Sequence, residues 1–286
     1  VLFDGKSTSA LRGYQMDTFP GDGWNVKDGT LRTIPDGKVV DIVTKKEYRN
    51  FELVFDWKVT PGANSGVMYR VDESLESPWH TGPEYQVLDD SKHADGKSPL
   101  TSAGSLYALI SAQNKTLQPV GKFNQSRIVL AGNSLEHWLN GSKVVACDLD
   151  SYGVKTLIEK SKFSPHKDFT KKRTGHIVFQ HHHDEVWFKN IKVRALPEPE
   201  ILPEANRVNA LSKPQRDAGW RNLFNGKNTN PWRGFKKEAF PDKGWVIEND
   251  CIKHISKGGG GDIVTKQKYG QFDFQWEWKV APAANS

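Results

Sequence analysis

The stretch Phe51-Glu52-Leu53-Val54-Phe55-Asp56-Trp57-Lys58-Val59 alternates large apolar and polar residues for most of its length. A period of two places every second side chain on one face, which predicts a β-strand with one buried side. Further short strands are predicted on both sides of it, and no long segment has the helical period of 3.6. Asn140-Gly141 between two of them is a strong hairpin signal. The predicted strands are 84–88, 127–130, 135–139, 143–146, 176–180 and 186–193.

The surroundings of this strand occur twice in the chain. Asp41-Ile42-Val43-Thr44-Lys45 recurs as Asp262-Ile263-Val264-Thr265-Lys266, and the other repeated stretches have the same offset of 221 residues. That period is too long for a solenoid repeat and indicates duplication of a whole domain. We therefore predict a first all-β domain over residues 1–196, a Pro-rich linker over 197–219 and the N-terminal part of a second, incomplete copy over 220–286. Many short strands favour a sandwich or jelly roll of two antiparallel sheets for the first copy.

Composition excludes several functional classes. Of 286 residues, 40 are Lys or Arg and 34 are Asp or Glu, for a net charge of +6. The basic residues are scattered among acids, unlike a surface that follows nucleic-acid phosphates. No apolar run approaches the roughly 18 residues of a membrane span. We expect no nucleic-acid partner, no membrane span and no organic cofactor.

The segment Glu84-Tyr85-Gln86-Val87-Leu88-Asp89 holds the first candidate site residues. On a strand, Glu84 and Gln86 share one face, and Asp89 falls on the other. Two neighbouring polar side chains predict either a cleft or an exposed sheet face without a role. A retaining glycosidase needs two carboxyls about 5–5.5 Å apart, and Gln86 occupies the place where a second acid is expected.

Histidine, arginine and tryptophan supply the other candidates. His182 lies in His181-His182-His183-Asp184, where imidazole beside carboxylate suits a transition metal or a general base, or a packed turn. His137 precedes Trp138, so it is either a base or half of a packing pair. Arg70 either binds substrate or is solvated. Trp79 lies in a predicted loop and is the best candidate for a platform under a sugar ring.

Several motifs together resemble the 3-keto-disaccharide hydrolase domain family. They are Leu2-Phe3-Asp4-Gly5-Lys6, Asn64-Ser65-Gly66-Val67 with Arg70, Pro83 to Asp89, Glu136 to Gly141, Ser161-Lys162-Phe163, and Gly175-His176-Ile177 leading to Gln180. The match covers residues 1–196 and resumes at Trp220. One departure is His181-His182-His183 after Gln180, where the family usually has Asp-His-Gly.

The resemblance implies a concanavalin A-like jelly-roll sandwich of two curved sheets with the ligand on the concave face. It also implies a periplasmic or secreted protein, a carbohydrate substrate, and a partner oxidoreductase that makes 3-keto sugars. Site positions transferred by motif are Arg70, Glu84, Gln86, Asp89, His137, Gln180 and His182.

The chemistry of a 3-keto sugar assigns roles to these residues. The ketone acidifies the hydrogen on carbon 2, so a base can remove it, the aglycone leaves from carbon 1, and water then adds. We expect His137 or Glu84 as the base and Arg70 as the group that stabilises the enolate. A divalent metal held by His182 with Glu84 or Asp89 is the alternative stabiliser. Gln86, Asp89, Trp79 and Gln180 are expected to bind substrate. A non-catalytic carbohydrate-binding module and an ordinary glycoside hydrolase stay open as alternatives.

Overall fold

The computed structural model describes residues 1–198, 211 and 213–281. The chain divides into two compact units, Val1–Glu198 and Pro199–Ser286. Most of the predicted linker, residues 199–210 and 212, lies outside the described residues. No helix within the described ranges is both long and apolar enough to cross a membrane.

The first unit is built from two antiparallel sheets, as the sequence predicts. The five-stranded sheet has the order β1 (Leu11–Gly13), β4 (Ile42–Thr44), β11 (His176–Phe179), β6 (Asn64–Val71) and β7 (Glu84–Leu88). The seven-stranded sheet has the order β10 (Ser142–Asp148), β9 (Ser134–Leu139), β8 (Asn124–Ala131), β5 (Phe51–Val59), β12 (Val186–Ala195), β3 (Thr30–Thr33) and β2 (Trp24–Lys27). The all-β expectation is confirmed.

The core lies between the two sheets, and the alternation in β5 explains why. Phe51, Leu53, Phe55 and Trp57 are fully buried, while the residues that alternate with them are partly exposed. The five-stranded sheet contributes Val67, Tyr69, Tyr85 and Phe179, among others, to the same cluster. The predicted hairpin is present: Asn140 and Gly141 both have positive φ, 47° and 84°, as the turn that matches strand twist requires.

The five-stranded sheet is covered on both faces. Val43, Met68, Val71 and Val178 form a second, smaller apolar cluster, against which Tyr14 and Trp79 pack. Every residue of β6 and of β7 is buried. The expectation of an exposed sheet face at Glu84 and Gln86 is therefore wrong, because surrounding segments enclose that face.

Helices are few and short. One α-helix, α1, spans Tyr152–Glu159, and Ser151 accepts a hydrogen bond from the Val154 amide at its N-terminus. Two 3₁₀ turns, Pro78–His80 and Ala94–Lys97, lie in the segments that flank β7.

The second unit contains the short helix α2 (Lys213–Asp217) and two strand pairs. β13 (Trp232–Gly234) pairs with β16 (Ile263–Thr265), and β14 (Trp245–Glu248) pairs with β15 (Cys251–His254). Each of the four strands lies 221 positions after one of β1 to β4, which supports the interpretation of residues 220–286 as the start of a second copy. Phe272, Trp276 and Trp278, in the counterpart of β5, are 64–73% exposed, and residues 272–281 form no strand.

Candidate functional site

A row of polar positions crosses the outward face of the five-stranded sheet, the face turned away from the seven-stranded sheet. Gln86 pairs with Gly66 in the β6–β7 register. The Gln180 amide donates to the Gly66 carbonyl at 2.9 Å. Phe179 pairs with Ile42, so Gln180 stands beside Asp41. Alternation places these residues on one face, because their neighbours Ile42, Val67, Phe179 and Val87 all belong to the main core. We call Asp41, Gln180, Gly66 and Gln86 the polar row.

The carboxyl of Glu84 lies directly over Gly66. A Cβ atom added to Gly66 would stand 1.8 Å from Glu84 Oε1 and 2.6 Å from Cδ. Only glycine leaves room for the carboxyl at this point. The backbone of Glu84 pairs with Met68, two residues along the strand from Gln86. Its acid group nevertheless reaches the polar row.

Burial dominates the chemistry of Glu84, which is 8% exposed. Removal from water, with smaller contributions from Asp41 and Asp95, raises its pKa to about 8 against the opposing effect of Lys162. A carboxyl in this state is mostly protonated at neutral pH. It can donate a proton to a leaving oxygen, which an ordinary surface glutamate cannot do at that pH.

Gln86 offers an unused hydrogen-bond acceptor beside this acid. Its side chain is almost fully buried, and Nε2 donates to Asn64 Oδ1 at 3.3 Å. Its Oε1 has no hydrogen-bond partner among the described residues. An unpaired buried carbonyl oxygen costs stability, and a ligand hydroxyl placed against the polar row would satisfy it.

A cation and two aromatic rings border the acid. Lys162 Nζ lies 4.3 Å from the ring centre of Tyr107 and 5.3 Å from that of Trp79. Tyr107 donates its amide to the Glu84 carbonyl and its hydroxyl to Asp95 Oδ2, both at 3.0 Å. Burial lowers the pKa of Lys162, although Glu84 and Asp95 oppose the effect. The charge of Lys162 in turn opposes the rise in the pKa of Glu84.

Trp79 belongs to a partly exposed aromatic group. Its ring centre lies 4.3 Å from that of His80 and 4.7 Å from that of His166, and the two imidazoles stack at 4.2 Å. Because Trp79 also packs on the small apolar cluster, it is held at the edge of the same face. The role of Trp79 as a platform under a sugar ring stays a prediction.

The structure corrects the assignment of His137 as a base. His137 lies on β9 in the other sheet, is fully buried and points into the main core. Its Nε2 is 2.9 Å from the Tyr69 hydroxyl and its Nδ1 is 3.1 Å from the Gly104 carbonyl. Burial lowers its pKa to about 4. The sheet containing β6 and β7 separates it from Glu84, so His137 is a packing residue.

Arg70 is also directed away from the polar row. It has a positive φ of 57° at an irregularity in the β6–β11 pairing, which interrupts the alternation of β6. Its guanidinium donates to the Gly132 carbonyl and lies 3.3 Å from Asn133 Oδ1, in the β8–β9 turn. The expected role of Arg70 at the enolate is therefore replaced by a role in holding the two sheets together.

The proposed metal ligands do not come together. Asp89 accepts hydrogen bonds from the Gly62 amide at 2.7 Å and from the Ser91 hydroxyl at 2.5 Å, so it organises a turn, and its substrate-binding role is not supported. His182 is exposed. No group of three His, Cys, Asp or Glu residues suited to a metal ion occurs in the part of the chain that the structure describes. The expected metal site of His182 with Glu84 or Asp89 is therefore not formed among the described residues, and dependence on a divalent ion stays a prediction.

Three residues of the site were not among the candidates from the sequence: Asp41, Lys162 and Tyr107. Asp41 begins a stretch that recurs in the second copy, and Lys162 lies in one of the motifs shared with the family. Neither signal distinguishes a site residue from a structural one. Only the pairing of β4, β11 and β6 brings Asp41 toward Glu84.

Comparison with known proteins agrees with this picture. A family model for the 3-keto-alpha-glucoside-1,2-lyase-like domain matches residues 1–194 and 219–286. A curated 3-keto-disaccharide hydrolase from Bacteroides thetaiotaomicron is 32% identical over 226 residues, which cover 68% of this chain and 78% of the relative.

Two crystal structures from Parabacteroides distasonis, each named a "putative glycosyl hydrolase", share the fold. The first is 32% identical with a TM-score of 0.64, over 68% of this chain and 93% of the other. The second is 28% identical with a TM-score of 0.56, over 68% of this chain and 98% of the other. This chain therefore belongs to the 3-keto-alpha-glucoside-1,2-lyase-like domain family and is an enzyme of the glycosyl hydrolase type.

Proposed function

We propose that the first unit cleaves 3-keto-glycosides or 3-keto-disaccharides by elimination of the aglycone followed by hydration. The observation on which this depends is the buried Glu84 carboxyl, held over Gly66 beside the unpaired oxygen of Gln86. The curated relative named 3-keto-disaccharide hydrolase supports this substrate class.

Glu84 acts in this proposal as the acid. Its raised pKa keeps it protonated at neutral pH, so it gives its proton to the glycosidic oxygen as the bond from carbon 1 breaks. This revises its expected role as a base, because a protonated carboxyl cannot accept the hydrogen from carbon 2.

Lys162 takes the role that the sequence suggested for Arg70. Negative charge develops on the oxygen at carbon 3 when carbon 2 loses its proton, and a nearby cation stabilises that charge. In this proposal Gln86 and Gln180, both in the polar row, bind sugar hydroxyls, and Trp79 contacts the apolar face of a ring.

A ketone at carbon 3 has to be made by oxidation of a sugar alcohol. The proposal therefore includes a partner oxidoreductase that supplies the substrate. A periplasmic or secreted location also stays a prediction, and cell fractionation would test it.

Product release from a 3-keto-glucoside and from its unoxidised parent, each with and without a chelator, tests the proposal. Cleavage of the keto sugar alone supports elimination, and loss of activity with the chelator would place a divalent ion in the reaction. Cleavage of the parent would instead indicate an ordinary glycoside hydrolase. Cleavage of neither, with retained sugar binding, would indicate a carbohydrate-binding module.

Glu84→Gln is the variant for this assay, and Glu76→Gln is its control because Glu76 is exposed in the segment before Trp79. The acid role predicts a large loss with a poor leaving group such as a second sugar and a much smaller loss with p-nitrophenol. Equal losses with both leaving groups would contradict the role of Glu84 as the acid.

A further inference from the structure

We propose that Asp41 is the base that removes the proton from carbon 2, and that Asp41 and Glu84 act as a pair in both halves of the reaction. This inference rests on the proposed function and extends it to a residue that neither the motifs nor the comparisons assign.

The first support is position. Ile42 belongs to the main core and Val43 to the apolar cluster on the opposite face, so alternation directs Asp41 to the same face as Val43. Only β11 separates β4 from β6. With strands about 4.8 Å apart, the Cα atoms of Asp41 and Gly66 are roughly 10 Å apart.

The Glu84 carboxyl lies over Gly66, so the two acids approach each other across Gln180. Paired carboxyls that act on one glycosidic bond are roughly 5–9.5 Å apart. A backbone separation of about 10 Å, with two side chains reaching over the sheet between the strands, suits such a pair. The charge of Asp41 also acts on Glu84.

The second support is how Asp41 is held. Its Oδ1 accepts a hydrogen bond from the His181 amide at 2.8 Å, which fixes the orientation of the carboxyl. The residue is partly exposed, whereas Glu84 is buried. Burial of its carboxyl raises the pKa of Asp41 to about 7, opposed by the His181 hydrogen bond. A base is most effective when its pKa is near the working pH.

Asp41 and Glu84 together account for every proton and electron pair that moves in the elimination. The Asp41 carboxylate takes the proton from carbon 2, and the electrons of that C–H bond form the double bond between carbons 1 and 2. The bond from carbon 1 to the glycosidic oxygen breaks, and its electron pair leaves with the oxygen. Glu84 protonates that oxygen, so the aglycone departs as a neutral alcohol. Asp41 is then protonated and Glu84 is ionised.

The same pair balances the hydration. Ionised Glu84 takes a proton from water as the water oxygen bonds to carbon 1, and protonated Asp41 returns a proton to carbon 2. Both acids regain their starting states, and no oxidant or reductant is consumed. A single pair thus converts an elimination into a net hydrolysis.

The test separates proton removal from loss of the aglycone. A 3-keto derivative of 1,5-anhydroglucitol has hydrogen in place of the aglycone at carbon 1, so exchange of its carbon-2 hydrogen in D₂O, followed by NMR, reports the base without release of an aglycone. The full chain is compared with Asp41→Asn, Asp41→Glu and Glu84→Gln. Asp262→Asn is the matched control, because Asp262 is the counterpart of Asp41 in the second unit.

We expect Asp41→Asn to lower the exchange rate at least 100-fold, since general bases contribute about 10²- to 10⁴-fold. Asp41→Glu should restore part of it. Glu84→Gln should lose much less of the exchange rate than Asp41→Asn does, because the acid acts on the leaving oxygen and not on carbon 2. Asp262→Asn should exchange at the rate of the unchanged protein. Asparagine keeps the acceptor for the His181 amide, and an unchanged melting temperature would verify the fold.

Three results would overturn the inference: exchange within threefold of normal in Asp41→Asn, loss in Glu84→Gln as large as in Asp41→Asn, or no exchange by the unchanged protein. If the unchanged protein nevertheless releases product from the 3-keto-glucoside, the proposed function stands and only the role of Asp41 fails. If it exchanges the hydrogen but cleaves no keto sugar, the role of Asp41 stands and the proposed cleavage fails.

Discussion

Glu84→Gln should remove much of the pH dependence of the stability of the first unit. Burial raises the pKa of Glu84 from an ordinary 4.5 to about 8, so the folded state binds the proton more tightly than the unfolded state does. The stabilisation from this proton is fully present below pH 4.5 and is lost as the pH rises through 8. Glutamine is neutral at every pH and has no such loss.

The size of the effect follows from the pKa difference. Each pKa unit corresponds to about 1.4 kcal/mol, so the free energy of unfolding should fall by about 5 kcal/mol through Glu84 between pH 4.5 and 8. For a unit of this length, about 2–4 °C per kcal/mol gives a fall in melting temperature of roughly 10–20 °C.

Thermal and urea unfolding of the full chain at pH 4.5, 6 and 8.5, followed by circular dichroism, would measure this difference. Other titrating groups, Asp41 among them, change the stability of both proteins. The relevant quantity is therefore the difference between two losses of unfolding free energy from pH 4.5 to 8.5, that of the unchanged protein and that of Glu84→Gln. Glu76→Gln, in an exposed position, should behave like the unchanged protein. A difference below about 1 kcal/mol between Glu84→Gln and the unchanged protein would refute the burial argument.

Three further substitutions test separate parts of the site. Gly66→Ala places a methyl group 1.8 Å from Glu84 Oε1, so turnover should fall at least tenfold. Gly21→Ala, where the added methyl group has no atom within 4 Å, should have normal kinetics. Normal turnover in Gly66→Ala would contradict the placement of the carboxyl. His137→Ala should lower the free energy of unfolding by about 2–4 kcal/mol through a core cavity and lost hydrogen bonds. The kcat of the folded protein should stay within a few fold of normal. Loss of kcat without loss of stability would instead support His137 as the base. Gln86→Met removes an unpaired buried oxygen together with the long hydrogen bond to Asn64, and these effects on stability oppose each other. KM should rise, and an unchanged KM would show that Gln86 does not bind substrate.

The fold was predictable because local patterns determine it. The alternation in Phe51–Val59 depends only on side-chain polarity, and the buried and partly exposed residues of β5 follow it position by position. The Asn140-Gly141 turn depends on two residues that tolerate positive φ. The eight-residue helix α1 was missed, because it is too short to show a clear 3.6 period.

The site was only partly predictable. Glu84 and Gln86 are candidates from the sequence because they are polar residues on one face of a strand, and Trp79 because it lies outside the strands; their roles stay predictions. Alternation failed at Arg70, where a positive φ interrupts the strand. Alternation also does not indicate that the His137 ring is buried in the core, where Tyr69 and the Gly104 carbonyl are its hydrogen-bond partners.

The amino-acid sequence by itself determined the two-sheet architecture, the repeated stretches and the chemical types that a sugar site needs. These depend on period, turn residues and side-chain chemistry, which are local properties. Only the tertiary structure decided which acids lie on one face of the sheet, because the positions of Asp41 and Glu84 depend on strand order and register across β4, β11, β6 and β7. The same packing removes water from Glu84 and changes an ordinary glutamate into an acid that keeps its proton at neutral pH.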